Sequence, residues 1–143
     1  MIDNVHYTRI EYPVRIIALA EASFQTFVDS QLDMDPREVA KTLFDTTVPG
    51  PETDVLAEKA KQQGAYILGQ IRAKEPEVVD DLYFNIGFVI DPNGKIIMKH
   101  HKLQVFAPER SCTPHDIWDL WVEKFGTSLD SFYPVARTEI GNI

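Results

Sequence analysis

Cysteine is nearly absent: Cys112 stands alone in 143 residues. That excludes an internal disulfide framework and a multi-cysteine metal site, and it makes a reducing compartment the natural setting. Positive charge is also scarce, with 14 Lys and Arg against 22 Asp and Glu and a formal charge of -8. Such a chain is repelled by phosphate backbones and anionic lipid surfaces, so neither nucleic acid nor membrane is expected as a partner. No apolar run approaches the roughly 20 residues of a membrane-spanning helix. Asp3, Asn4 and His6 follow Met1 where a secretory signal would place a basic segment and an apolar core. A cytoplasmic location is the resulting expectation. No Gly-rich loop joins a strand to a helix, so nucleotide binding ranks last and no cofactor is expected.

What is present is a globular balance, 44% hydrophobic and 25% charged, enough for one core in one α/β domain. Residues 1–13 show no clear period and read as a loop. Residues 14–20, Val-Arg-Ile-Ile-Ala-Leu-Ala, suit a strand covered on both faces, with Glu21 at its C-terminal end, where α/β sheets place their ligands. Asp35-Pro36-Arg37-Glu38 has the pattern of a helix start and capping box, and a short helix should run to about Phe44. Residues 47–51, with Pro49-Gly50-Pro51, form a rigid loop before a helix over 52–63 that Gly64 stops. A strand over 65–71 completes a β-loop-α-β order, which predicts parallel pairing with residues 15–20.

Residues 74–81 are acidic and contain Pro76, so they read as an exposed loop. A hairpin follows, 82–90 and 95–99, joined by Asp91-Pro92-Asn93-Gly94. Thr113-Pro114 looks like the start of a helix that carries Ile117, Leu120, Trp121 and Lys124 and ends at Gly126, and residues 133–143 approach a last strand. The hairpin should deliver Lys102 and Glu109 to one sheet edge as a close pair of opposite charges. Glu21 is the upstream residue that makes sense of that pair.

These blocks resemble the nitrilase superfamily of carbon-nitrogen hydrolases, colinearly over nearly the whole chain. The resemblance rests on a strand ending in glutamate at Ile16-Ile17-Ala18-Leu19-Ala20-Glu21 and on Pro49-Gly50-Pro51-Glu52-Thr53 opening a helix. It continues with the hairpin from Phe84-Asn85 through Gly94 to Lys102, and with Pro108-Glu109 after it. It implies part of a nitrilase-like αββα sandwich, about its N-terminal half. It also implies a carbon-nitrogen hydrolase acting on a small amide or nitrile through a Glu-Lys-Cys mechanism. Glu21 would be the base and Lys102 the oxyanion partner, while Glu109 would hold Lys102 or orient the substrate nitrogen. Leu19-Ala20 stand where family members carry Phe-Pro. The family's opening strand and helix have no counterpart before Glu21. Thr138-Glu139-Ile140-Gly141 matches the sequence that shortly precedes the family's nucleophilic cysteine, and no cysteine follows it. The chain is therefore expected to be a partial domain over 1–143, truncated at both ends and inactive alone.

Rival readings follow from the same residues. A noncatalytic half-enzyme would pair with a complementary chain, and exposed apolar surface would in any case favour a homo-oligomer or such an association. Cys112 before a helix start could carry a lowered thiol pKa, but the alternative is a partly buried small apolar residue. His100 and His101 are neighbours on one strand and point to opposite faces, which suits packing better than metal binding. Trp118 and Trp121 could line a pocket or belong to a core stripe, and Lys95 and Lys99 belong to a solvated hairpin edge.

Overall fold

The computed structural model describes residues 13–25 and 33–143; the expectations placed on residues 1–12 lie outside them. A four-stranded sheet runs in the order β1 (Ile16–Ala18), β2 (Tyr66–Glu75), β3 (Val79–Ile90), β4 (Ile96–His101). The helices are α1 (Pro36–Thr42), α2 (Pro51–Gln63) and α3 (Trp118–Phe125), and β5 (Arg137–Thr138) and β6 (Gly141–Asn142) form a small separate hairpin. The α/β class and the predicted parallel pairing are both present: β1 runs parallel to β2 with Ile17 opposite Ile67, whereas β3 is antiparallel to both of its neighbours, β2 and β4.

The helix ends follow their local chemistry. The Asp35 carboxylate accepts from the Arg37 amide at 2.8 Å and Pro36 opens α1. At α2 the Thr53 hydroxyl accepts from the Gly50 amide at 2.8 Å, and Gly64 closes the helix in the left-handed region at φ 61°. The turn between β3 and β4 is held by Asp91, whose carboxylate accepts from the amides of Asn93 and Lys95 at 2.9 and 2.8 Å. Gly94 there has φ +78°, and a Cβ on it would lie 2.4 Å from the Lys61 side chain of α2. The turn needs glycine for its backbone and for its seat on the helix.

Strand alternation divides the sheet into two faces. Ile67, Ile71, Ala73, Phe84, Ile86, Phe88 and Ile90 share one face and form the main core with Leu56 and Ala60 of α2. Trp121 of α3 packs on this face, with its ring 6.3 Å from Phe84 and 4.7 Å from His101. The other face carries Arg72, Tyr83, Asn85 and Met98, and part of it is covered by Val39 and Ala40 of α1 and by Phe44 just after it, packed around Tyr83.

Several expectations need correction. β1 lies at the sheet edge and Ile16 is 45% exposed, so this short strand is not covered on both faces among the described residues. The helix expected at Thr113-Pro114 begins at Trp118; before it, the Asp116 carboxylate accepts from the amide and hydroxyl of Thr113, both at 2.8 Å, closing a turn. Trp121 is buried while Trp118 is exposed, where it stacks on Phe132 at 5.5 Å. Residues 74–81 are mostly strand, and their acidity misleads because Glu75 is buried. Its carboxylate accepts from Lys99 Nζ at 2.9 and 2.7 Å and meets His101 Nε2 at 2.9 Å. Lys99 accordingly belongs to this cluster and not to a solvated edge.

Burial pushes the His101 imidazole below its ordinary 6.5, and the nearby Glu75 carboxylate offsets only part of this. Burial would raise Glu75, but the bonds from His101 and Lys99 outweigh it and hold the carboxyl below 4.5. Both folded values lie below the unfolded ones, so the unfolded chain binds more protons between them. His101's contribution to stability is present above pH 6.5 and lost as pH falls through its folded value; that of Glu75 is present above 4.5 and lost below. The thermal midpoint should therefore fall on acidification, and His101→Gln should remove the part of the fall that begins near pH 6.5. Identical pH profiles for the two chains would contradict this.

Candidate active site

The three residues singled out from the sequence come together. Glu21 lies in the turn after β1, Lys102 directly follows β4, and Glu109 ends a single 3-10 turn at Ala107–Glu109. Lys102 Nζ donates to Glu21 Oε1 at 2.8 Å and to Glu109 Oε2 at 3.0 Å.

Strand β3 sets this geometry. Beyond the β3–β4 ladder the Lys102 amide donates to the Asn85 carbonyl at 2.9 Å, and the chain then leaves the sheet. It returns where the Cys112 amide donates to the Tyr83 carbonyl at 2.8 Å, with Cys112 opposite Phe84. The excursion between these bonds carries Glu109 back over Lys102. Tyr83 fixes its backbone, donating its hydroxyl to the Glu109 carbonyl at 2.6 Å. Burial raises the Tyr83 phenol to about 12, so it remains a donor.

Glu21 is placed from the other side. Gln25 lies along the edge of β2, its side-chain amide donating to the Arg72 carbonyl at 2.8 Å and accepting from the Arg72 amide at 2.7 Å. The Ala22 amide donates to Gln70 Oε1 at 2.8 Å. Ala22 and Arg110, the residues after the two glutamates, both adopt positive φ, 61° and 56°. Each carboxylate thus sits at a sharp bend that turns the backbone away from it.

Asn85 stands in the sequence only as part of the Phe84-Asn85 hairpin block, and the structure gives it a specific task. Its Nδ2 donates to Glu21 Oε1 at 2.8 Å and to Glu109 Oε1 at 2.5 Å, one N–H for each carboxylate. Ser111, not foreseen, donates its hydroxyl to Glu109 Oε1 at 3.1 Å. An asparagine after a tyrosine-aromatic strand pattern was the available signal for the first; nothing marked the second.

The two glutamates differ in freedom. Glu109 is 2% exposed and both its oxygens are engaged, one by Asn85 and Ser111, the other by Lys102. Among the described residues both bonds to Glu21 use Oε1, and its side chain is 45% exposed. Hydrogen bonds from Lys102 and then Asn85 lower its pKa below the ordinary 4.5. Burial would lower the Lys102 pKa, but the bonds to Glu21 and Glu109 outweigh it and keep the ammonium charged. One of the three N–H donors of Lys102 is not used by the described residues, and it is available to a negative oxygen.

Cys112 does not join this site. It faces the core with Phe84, its thiol contacts the Thr113 carbonyl at 3.5 Å, and burial raises its pKa to about 12. The proposed helix start that might have activated it is absent, since α3 begins at Trp118. His100 and His101 lie on opposite faces: His100 stacks on Tyr133 at 6.5 Å, and His101 joins Glu75. Among the described residues no group of three or more His, Cys, Asp or Glu has metal-binding geometry, and no helix is long and apolar enough to cross a membrane.

Glu21, Lys102 and Glu109 thus form a carboxylate–ammonium–carboxylate triad beyond the ends of β1 and β4. The family profile for carbon-nitrogen hydrolases matches residues 5–143, and the chain belongs to that family, within the nitrilase superfamily. A formamidase of Bacillus cereus is 32% identical over 109 residues, covering 76% of this chain and 30% of that protein. A formamidase of Bacillus anthracis is 31% identical over the same length. The chain therefore spans about 30% of the length of these curated relatives. Among solved structures, Saccharomyces cerevisiae Nit3, a member of the nitrilase superfamily, aligns over 99% of this chain and 45% of its own, with TM-score 0.65 and 17% identity. An N-terminal amidase aligns over 75% of this chain and 23% of its own, with TM-score 0.59 and 16% identity. At these identities the likeness is one of fold, and it matches the expected partial nitrilase-like sandwich.

Replacing Asn85 with Ala leaves the buried Glu109 oxygen with one donor fewer and the two carboxylates without a common one. We expect a stability loss of about 1–3 kcal/mol in urea unfolding, together with a rise in the Glu21 pKa followed by carboxyl-carbon NMR. An unchanged Glu21 titration would show that Asn85 does not support its charge.

Proposed function

We propose that this chain supplies the carboxylate–ammonium–carboxylate part of a site that hydrolyses a small amide. The observation that carries the reading is Lys102 Nζ held at 2.8 and 3.0 Å between Glu21 and Glu109. The formamidase relatives support an amide over a nitrile. Glu21, exposed and with one oxygen uncommitted among the described residues, takes the proton of a cysteine thiol as its sulfur attacks the carbonyl carbon. Lys102 directs its spare N–H at the oxyanion that forms. Collapse expels the amine with the proton returned by Glu21, and water then cleaves the thioester by the same route, releasing the acid. Glu109, with both oxygens bonded, anchors Lys102 rather than exchanging protons.

The nucleophilic thiol is not Cys112, so residues 1–143 are read as a partial domain that is inactive by itself. In any assembly that completes the site, Lys102→Ala should lower kcat by about 10²–10³. The purified 143-residue chain should release no ammonia from formamide, acetamide or propionamide. Ammonia release that Lys102→Ala abolishes would overturn the inactivity.

The second reading, a noncatalytic half-enzyme, draws on the apolar residues exposed in and after α3: Trp118, Leu120, Leu129, Tyr133 and Val135. It predicts a stable complex with a complementary chain, or a homo-oligomer, on size-exclusion chromatography. Under either reading we propose a cytoplasmic location, since a chain with one cysteine and no internal disulfide suits a reducing compartment.

A further inference from the structure

The cluster of buried Glu75 and His101 with partly buried Lys99 takes no part in the proposed hydrolytic chemistry, yet two of its members lie on β4, the strand that presents Lys102. Among the described residues β4 is an edge strand, and its ladder ends at His101 opposite Ile86, one residue before Lys102. The terminal residues of an edge strand fray unless something ties them down. Here the tie comes from β2, two strands away. The β2–β3 register shifts between Lys74 and Glu75, and the Glu75 carboxylate spans β3 to reach Lys99 and His101. The His101 ring is fixed between Phe84 at 5.4 Å and Trp121 at 4.7 Å.

Residues 99 and 101 face the core side, and by alternation 100 and 102 face the triad. A one-residue slip of β4 would turn Lys102 away from Glu21 and Glu109. Apolar residues at 75, 99 and 101 together would avoid the desolvation cost of a buried carboxylate, a buried imidazole and a partly buried ammonium. Directional bonds do what such packing cannot: they fix register. We propose that Glu75 and His101 are positioning residues for Lys102, clamping the end of β4 from the opposite face so that the ammonium lands between Glu21 and Glu109. The inference rests on the proposed function only in taking Lys102 as the working cation.

The test reads Lys102 directly in this chain, by NMR titration of its ammonium and by hydrogen exchange of its backbone amide. In the native chain the ammonium should titrate above an ordinary lysine and the amide should be protected. His101→Leu and Glu75→Gln should each shift the Lys102 titration downward and remove the amide's protection, while His101→Gln, which can still donate to Glu75, should restore both. Leu56→Ala, a core lesion beneath α2, should lower the thermal midpoint and leave both readings unmoved. The proposal is overturned if Lys102 is indifferent to both clamp changes, if His101→Gln fails to rescue, or if Leu56→Ala moves Lys102 equally. Should His101→Leu not fold, the near-isosteric Glu75→Gln decides. If that chain also unfolds, the pair serves the fold as a whole and the proposal fails. An ordinary Lys102 titration in the native chain would instead remove the triad on which the hydrolytic reading stands, whereas absence of amide hydrolysis leaves the clamp untouched.

Discussion

Two carboxylates do not share a partly buried space unless donors stand between them. At Glu21 and Glu109 that condition is met twice, by the Lys102 ammonium and by the Asn85 amide, each bonded to both. The ammonium supplies charge, and the amide adds a donor to each carboxylate without adding charge, so the site keeps a net negative balance that Lys102 alone would not stabilise. Most of the surrounding architecture serves this arrangement. β3 provides the Asn85 side chain, the carbonyl that receives Lys102 and, two residues earlier, the carbonyl that receives Cys112. A single strand thereby anchors both ends of the excursion that brings Lys102 and Glu109 together.

The backbone also accepts local cost near the site. Ala22 and Arg110 occupy a left-handed conformation that neither residue type favours, directly after the two glutamates. Such bends persist where surrounding bonds over-determine them. After Glu21 those bonds are the Gln70 and Gln25 contacts to β2; around Glu109 they are the Tyr83 hydroxyl and the Ser111 side chain. The carboxylates are consequently held by their backbones as well as by their charges.

Much of this was legible because it is written in local patterns. Asp91-Pro92-Asn93-Gly94 specifies a turn, Pro51 and Gly64 bracket a helix, and the spacing of Lys102 and Glu109 after the hairpin brings opposite charges to one edge. The misreadings have a common physical origin in partners distant in sequence. Glu75 looks solvated beside Glu77 and Asp80, and its burial depends on Lys99 and His101, which arrive 24 and 26 residues later. Ser111 carries no motif, and its bond to Glu109 exists only because the chain bends at Arg110. Nothing in Ala22 or Arg110 announces positive φ, since the residue types that normally signal it are glycine and asparagine.

Strand parity accounts for the different fates of neighbouring residues. Ser111 and Cys112 follow Glu109 closely, yet Ser111 reaches the carboxylate and Cys112 is turned into the core opposite Phe84, where burial keeps its thiol protonated. The same alternation splits His100 from His101 and sets Lys99 opposite in role to Lys102. Proximity in sequence to a reactive residue is therefore a poor guide on a strand, because two faces separated by a sheet are different electrostatic environments. On one face of β4 a lysine meets an open, doubly acidic site; on the other a lysine neutralises a buried glutamate. Both ammonium groups lie beside carboxylates, but only Lys102 has a partner, Glu21, that is substantially exposed. That exposure is what separates a group able to meet a substrate from one committed to the fold.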